Sequence, residues 1–470
     1  MTSRSLAWIS VASLALLAAC GDDGGSGRDT VGDGTDSISN PETSGGTETG
    51  GSGGDGDGDP SGDGDGDPSG DGDGDPSGDG DGDPSGDGDG DPSGDGDGDG
   101  DPCGDGGNNL PVEKLIWIAN SAQGTVSKID TETGAELGRY IVRADSAGSP
   151  SRTSVNRFGD VAVANRLGGV TKIAGPLTSC VEKNGIPGIQ TSSGPNDVLP
   201  WGEDECVLWF SDIPHQDNRP VAWTNGSFNQ QTCEWEDVHV WTAWSDWAAG
   251  TAVVALLDGA TGQILQEVPI PDLPQPWPGW FGFYGAAVDS DNNVWLSQLQ
   301  GSNPSPSWLV RVNFSDFAYT GYPVPGEGGY GMTVTNDGYV WICGRETRRF
   351  NPQSEVWTSV PLLNGGVHTG GCMGDGNGLL YRGSYAQIHG IDTQTLEVVQ
   401  TLDVGQPGDD LIWGVAIDYD GYVWGVPRNG SRAYKVDSDV NQIVQTVEGL
   451  VGAYTYSDMT GFALVSVNPG

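Results

Sequence analysis

The sequence predicts an all-β chain, a β-propeller of seven four-stranded blades preceded by a disordered Gly/Asp-rich linker. Three observations carry that prediction. An aromatic follows a leading glycine by ten positions at Gly285–Trp295, Gly331–Trp341, Gly371–Tyr381 and Gly414–Trp424. Within each copy a short apolar strand meets an Asp/Asn-rich turn, where positive φ is tolerated, and a second strand follows. The composition is also split. Residues 21–109 hold 33 Gly and 27 acids against one base, whereas residues 110–470 hold 16 of the 17 Trp.

From the N-terminus, Arg4 precedes an apolar stretch from Leu6 to Leu17 that is too short to span a bilayer. Leu17-Ala18-Ala19-Cys20 places small residues before a cysteine, as cleavage requires, and resembles the lipobox of bacterial lipoproteins. Residues 1–20 are therefore expected to be a lipoprotein signal peptide, with Cys20 acylated. Membrane attachment is expected through the lipid, each buried methylene contributing ~0.8 kcal/mol.

Residues 21–109 are expected to form a disordered acidic tether. The run Asp-Gly-Asp-Gly-Asp-Pro-Ser-Gly repeats with prolines at 60, 68, 76, 84 and 92. It offers no side chain for a core, maximal backbone entropy and repelling charges. A coil of that length spans about 50 Å, and charge stretches it further. Asp-x-Asp-x-Asp resembles the opening of an EF-hand loop, but Pro60 stands where that loop needs glycine and no closing Glu follows.

Residues 110–470 are the propeller, with an insertion at about 177–236. Degenerate copies of the frame place the aromatic-equivalent positions at 117, 162, 241, 295, 341, 381 and 424. The copy at Trp117 lacks a first strand. Ala453–Met459 and Phe462–Val467 lie beyond the last copy and read as strands able to supply it, closing the ring and hiding its edges. With Cys20 set aside, Cys103, Cys180, Cys206, Cys233, Cys343 and Cys372 remain, an even number in an exported chain, and three disulfides are expected. The frame favours Cys343–Cys372. Cys180, Cys206 and Cys233 lie in or beside the insertion.

Trp117-Ile-Ala-Asn-Ser-Ala-Gln-Gly-Thr-Val-Ser-Lys-Ile-Asp130 and the Asp-Gly-Tyr-Val-Trp units resemble the NHL/YVTN-type propellers, most of all the virginiamycin B (streptogramin) lyase-like branch. Lipobox, spacer and propeller together look like a secreted lipoprotein of myxobacterial type. The resemblance implies a divalent metal with His and Glu at one face, opening a lactone by elimination. Family blades often carry Trp-Phe-Thr-Glu in the second strand. Here the equivalents end in Asn120, Gln298, Gly344, Ser384 and Pro427, so no catalytic residue carries over.

Residues just before each first strand are expected at the channel mouth. Glu327, His368 and Asp410 occupy such positions and could hold Ca²⁺ or Mg²⁺, or act as acid and base. Trp277 and Trp280 could stack on sugars or other flat ligands there. In the insertion, Asp197, Glu203, Asp204 and Glu205 beside Asn184-Gly185 could make a calcium-stabilised loop. Arg345, Arg348 and Arg349 form a basic cluster that can balance nearby carboxylates.

The net charge of −46 excludes nucleic acid, whose phosphates need clustered cations. The expected function is an envelope-anchored lipoprotein, at the outer membrane or cell surface, displaying the propeller to bind a ligand, an envelope protein or a glycan. The alternative is a metal-dependent lyase or hydrolase of streptogramin-lyase type. It rests on likeness of fold.

Overall fold

The computed structural model describes Cys103 and residues 113–467, apart from residues 216, 247–248, 274–281, 300–306, 327, 345, 362–369, 408 and 410. These belong to a compact unit running from Ser93 to Gly470.

Its fold is a β-propeller. Five four-stranded antiparallel meanders follow one another along the chain, beginning at Pro150–Val155, Val221–Trp223, Gly285–Val288, Gly331–Val334 and Cys372–Gly374. A sixth sheet has seven strands, because the meander starting at Ile412–Ile417 joins the three strands that start at Leu115–Asn120. The join in register is one pair, Asn120 with Ala453. From there residues 454–459 continue along Leu115–Asn120, with Tyr454 N–H donating to Ala119 O and Trp117 N–H to Met459 O. The C-terminal segment thus supplies the inner neighbour that the first copy lacks.

First strands lie side by side around one axis, and the crowding there explains the leading glycine. A Cβ on Gly331 would stand 2.5 Å from the Gly371 Cα, and one on Gly371 would meet Trp413 O at 2.9 Å and Tyr456 O at 3.0 Å. No side chain fits such gaps.

The frame aromatics all fall on second strands and are buried: Trp117, Trp241, Trp295, Trp341, Tyr381 and Trp424, with Ala162 in the remaining copy. Buried indoles need acceptors. The residue six positions earlier serves: Trp295 Nε1 donates to Asp289 Oδ2, Trp341 to Thr335 Oγ1 and Trp424 to Asp418 Oδ2, at 2.9–3.0 Å. The same carboxylates accept backbone N–H groups inside the turn, Asp418 from Asp420 and Tyr422. One aspartate therefore shapes the hairpin and satisfies the core tryptophan.

The interval between Ala162 and Trp241 contains two excursions. Residues 177–206 leave before Val207–Ser211, and a separate hairpin pairs Ser227–Asn229 with Glu234–Glu236. Disulfides join Cys180 to Cys206, Cys343 to Cys372, and Cys103 to Cys233 in that hairpin.

Two expectations are corrected. Past Ala453, residues 454–459 run along Leu115–Asn120 without forming a regular strand, and Phe462–Val467 is not a strand but a short helix, α1. Residues 454–459 already fill the inner position, so that edge of the first copy is covered. Asp458 then turns the chain, its carboxylate accepting from the Thr460 and Gly461 amides at 3.3 and 2.9 Å. Ala463, Leu464 and Val467 of α1 close one end of the axial channel, leaving a cavity of about 30 Å³ that Met332, Met373 and Asp458 help to line.

Candidate functional site at the axial mouth

Glu327, His368, Asp410, Trp277 and Trp280 all lie outside the described residues, as does Arg345. The residues that enter the first strands beside them are described, and they build a different constellation. The position immediately before the leading glycine carries Tyr284, Tyr330 and Trp413 in three copies. The closing segment adds Tyr454 and Tyr456. Together these rings form a packed cluster with Leu299 and Leu411.

Ring geometry is close and mostly edge-on. Tyr330 meets Trp413 at 4.4 Å and Tyr284 at 5.2 Å between centroids, while Tyr284 stacks on Tyr456 at 5.5 Å. The Tyr284 and Tyr454 hydroxyls lie 3.0 Å apart.

Arginines penetrate this cluster. Arg152 stands where four other copies have their leading glycine, ten residues before the aromatic-equivalent Ala162. Its side chain fills axial space that a glycine would leave open. It is 1% exposed, and its guanidinium lies 3.0 Å from the Tyr456 ring centroid and 4.7 Å from that of Tyr284. Nη2 donates to the backbone carbonyls of Tyr284 and Tyr330. Arg219 lies 4.9 Å from the Tyr284 ring and 3.8 Å from Asp217 Oδ1. Arg166 covers Tyr454 at 4.5 Å, and Arg428 covers Trp413 at 4.6 Å. Cation–ring contacts of this kind hold guanidinium groups in orientation and gain strength when desolvated.

The electrostatics are unusual for so acidic a chain. Burial pulls the Arg152 pKa well below its ordinary value, with Arg219 and Arg166 adding repulsion. Burial also pushes the Tyr454 phenol well above its usual range. Arg152 Nη1, Trp413 Nε1 and Tyr456 Oη, all on buried side chains, have no hydrogen-bond partner among the described residues. Such orphan donors cost roughly 1–3 kcal/mol each when nothing accepts from them. The cluster is thus equipped to receive an acceptor.

These residues were missed in the sequence by narrow margins. The second-strand ends compared with the lyase pattern were three residues past the aromatic. One residue further on are Arg166 and Arg428. The first-strand entries considered lay three or four residues before the leading glycine, whereas the ring-bearing position is the one directly before it.

The other proposed sites resolve differently. In the insertion, Asp204 accepts from the Ser192 amide, the Ser192 and Thr191 hydroxyls and the Cys206 amide. Glu205 accepts from the Lys183 and Gln190 amides. Those carboxylates fold the loop. Among the described residues no group of three His, Cys, Asp or Glu side chains is placed to hold a metal. Arg348 pairs with Glu346.

No protein-family model matches the chain, and no curated protein matches it either. Among solved structures it is similar to virginiamycin B lyase from Staphylococcus aureus, at 16% identity and TM-score 0.41 over 63% of this chain and 83% of that one. A protein from Lactobacillus plantarum aligns at 13% identity and TM-score 0.48, over 73% of this chain and 97% of its own. The WD40 repeats of RRP9 align at 8% identity and TM-score 0.49, over 73% and 90%. The architecture described above rests on this chain's own strand pairing.

Proposed function

We propose that this chain is a lipid-anchored lipoprotein whose seven-bladed propeller binds an envelope ligand, glycan or protein, at the axial mouth. In this reading Cys20 carries the acyl chains and residues 21–109 are the tether that holds the domain clear of the membrane. Counting the joined seven-stranded sheet as two units, a four-stranded meander and three strands completed by the closing segment, gives the seven blades.

One observation carries the binding assignment: a buried arginine–aromatic cluster at the mouth of an acidic domain, with donors on three side chains lacking acceptors among the described residues. Other buried polar atoms among the described residues also lack partners, but only here are donors grouped beside aromatic rings, the mix of apolar walls and a few polar groups that ligand sites show.

The test uses the full-length protein in detergent, titrated calorimetrically with solubilised envelope glycan fragments and, separately, with extracted envelope proteins. Wild type is expected to release saturable heat with one of them. Tyr330→Ala is expected to bind it at least tenfold more weakly, since an aromatic hot-spot anchor contributes about 2 kcal/mol or more. Equal heats from both forms would remove the mouth as the site. In parallel, Cys20→Ser is expected to move the protein from the membrane to the soluble fraction, and an unchanged distribution would remove the anchor.

A further inference from the structure

Among the described residues Arg152 is a guanidinium without a counter-charge. It is 1% exposed, its two acceptors are backbone carbonyls, and none of the ion pairs among the described residues involves it. Its described charged neighbours are mainly of the same sign: Arg219 and Arg166 repel it, Arg428 lies across the Trp413 ring, and Asp217 stands beside Arg219. A buried charge left unpaired is strongly destabilising, so a fold that keeps one has a use for it. Tyr456, whose ring lies against that guanidinium, has a hydroxyl unpaired among the described residues, and Trp413, whose ring is 6.1 Å from that of Tyr456, has an indole N–H in the same state. All three can donate, and none is an acceptor alone. Donors grouped in this way favour an oxyanion.

We propose that the axial mouth binds a monovalent carboxylate, with Arg152 Nη1 and the Tyr456 hydroxyl donating to its oxygens and the Tyr284, Tyr330 and Trp413 rings walling its apolar body. The proposal rests on the mouth being the binding site, and adds what chemistry it takes. A monoanion fits better than a dianionic phosphate because the chain is strongly acidic and repels each added negative charge. Nη2 is committed to the Tyr284 and Tyr330 carbonyls, so Nη1 gives one charge-assisted hydrogen bond to a carboxylate oxygen and the Tyr456 hydroxyl gives the other. Rings beside these donors favour a carboxylate borne on an apolar or cyclic body over a bare one.

The experiment measures thermal stability and calorimetric binding of the full-length protein with sodium benzoate, acetate, phosphate, sulfate and chloride at matched ionic strength. Benzoate is expected to raise the Tm saturably, since a ligand that binds only the folded state stabilises it by mass action. Acetate is expected to do so more weakly, and chloride not at all. Arg152→Gln is expected to abolish the shift. Tyr456→Phe, which keeps the ring and the fold, is expected to weaken binding about tenfold, the effect of losing one hydrogen bond to a charged group. Equal shifts with chloride, tighter binding of phosphate, or unchanged benzoate affinity in Tyr456→Phe would each overturn the carboxylate assignment. If anions do nothing while envelope fragments still bind through Tyr330, this inference fails and the binding function stands. If neither binds, both fail.

Discussion

Asp458 is buried at the channel, and desolvation raises its pKa from the usual 3.8 to about 6. Hydrogen bonds from the Val155, Thr460 and Gly461 amides favour the carboxylate but do not outweigh burial. The folded-state pKa lies above the unfolded one, so between about 4 and 6 the native protein binds more protons than the unfolded chain. Its contribution to stability is complete below pH ~4 and is lost as pH rises through 6. Two units correspond to about 3 kcal/mol at most. Urea midpoints measured from pH 4 to 7 should therefore fall more steeply in wild type than in Asp458→Asn, and parallel profiles would show that the group does not titrate there. Burial of this kind is invisible in sequence, where Asp458 is one acid among many. Arg152 was partly legible: it breaks the glycine rule at a counted position, and that substitution marks the place where the fold puts a side chain on its axis.

At the scale of the element, the frame was legible because its spacing has a physical cause. Glycine is forced by the close approach of first strands, aspartate by the turn and the indole, and the aromatic by the core. The helix α1 was not legible, because six residues of Phe-Ala-Leu-Val-Ser-Val suit either period, and occupancy of the sheet edge decides. The disulfide between Cys343 and Cys372 links the second strand of one sheet to the first strand of the next, whose Cα atoms stand 6.1 Å apart. It closes a 29-residue separation, worth about 3 kcal/mol by loop entropy. The double variant Cys343→Ser, Cys372→Ser should unfold at a lower urea concentration by that free energy, with both sheets retained by circular dichroism. An unchanged midpoint would mean that packing of Trp341 and Leu380, which share a core cluster with these cysteines, already fixes the pair.

For the propeller domain, closure is the property that no single sheet contains. Ser457 and Asp458 bond to Thr153 on one side, while Thr455 lies against Gly414 on the other, so the closing segment touches the second sheet and the last. It also brings Tyr454 and Tyr456 to the mouth, and its continuation α1 covers the opposite end of the channel. Fold closure and the candidate site are thus the same piece of chain. A protein ending at Gly452 would expose the inner edge of Leu115–Asn120 and leave Arg152 without its stacking ring, and exposed edges of this kind aggregate. It should not accumulate as a soluble, cooperatively unfolding species. A protein ending at Thr460 keeps the closing segment and loses α1 with its Leu464 contact, so it should fold with a stability lower by about 2–5 kcal/mol, the range for removing a large buried side chain. The pair separates closure from channel covering: equal losses in both would assign the stability to α1, and normal melting of the shorter chain would show that the ring holds without its C-terminal segment.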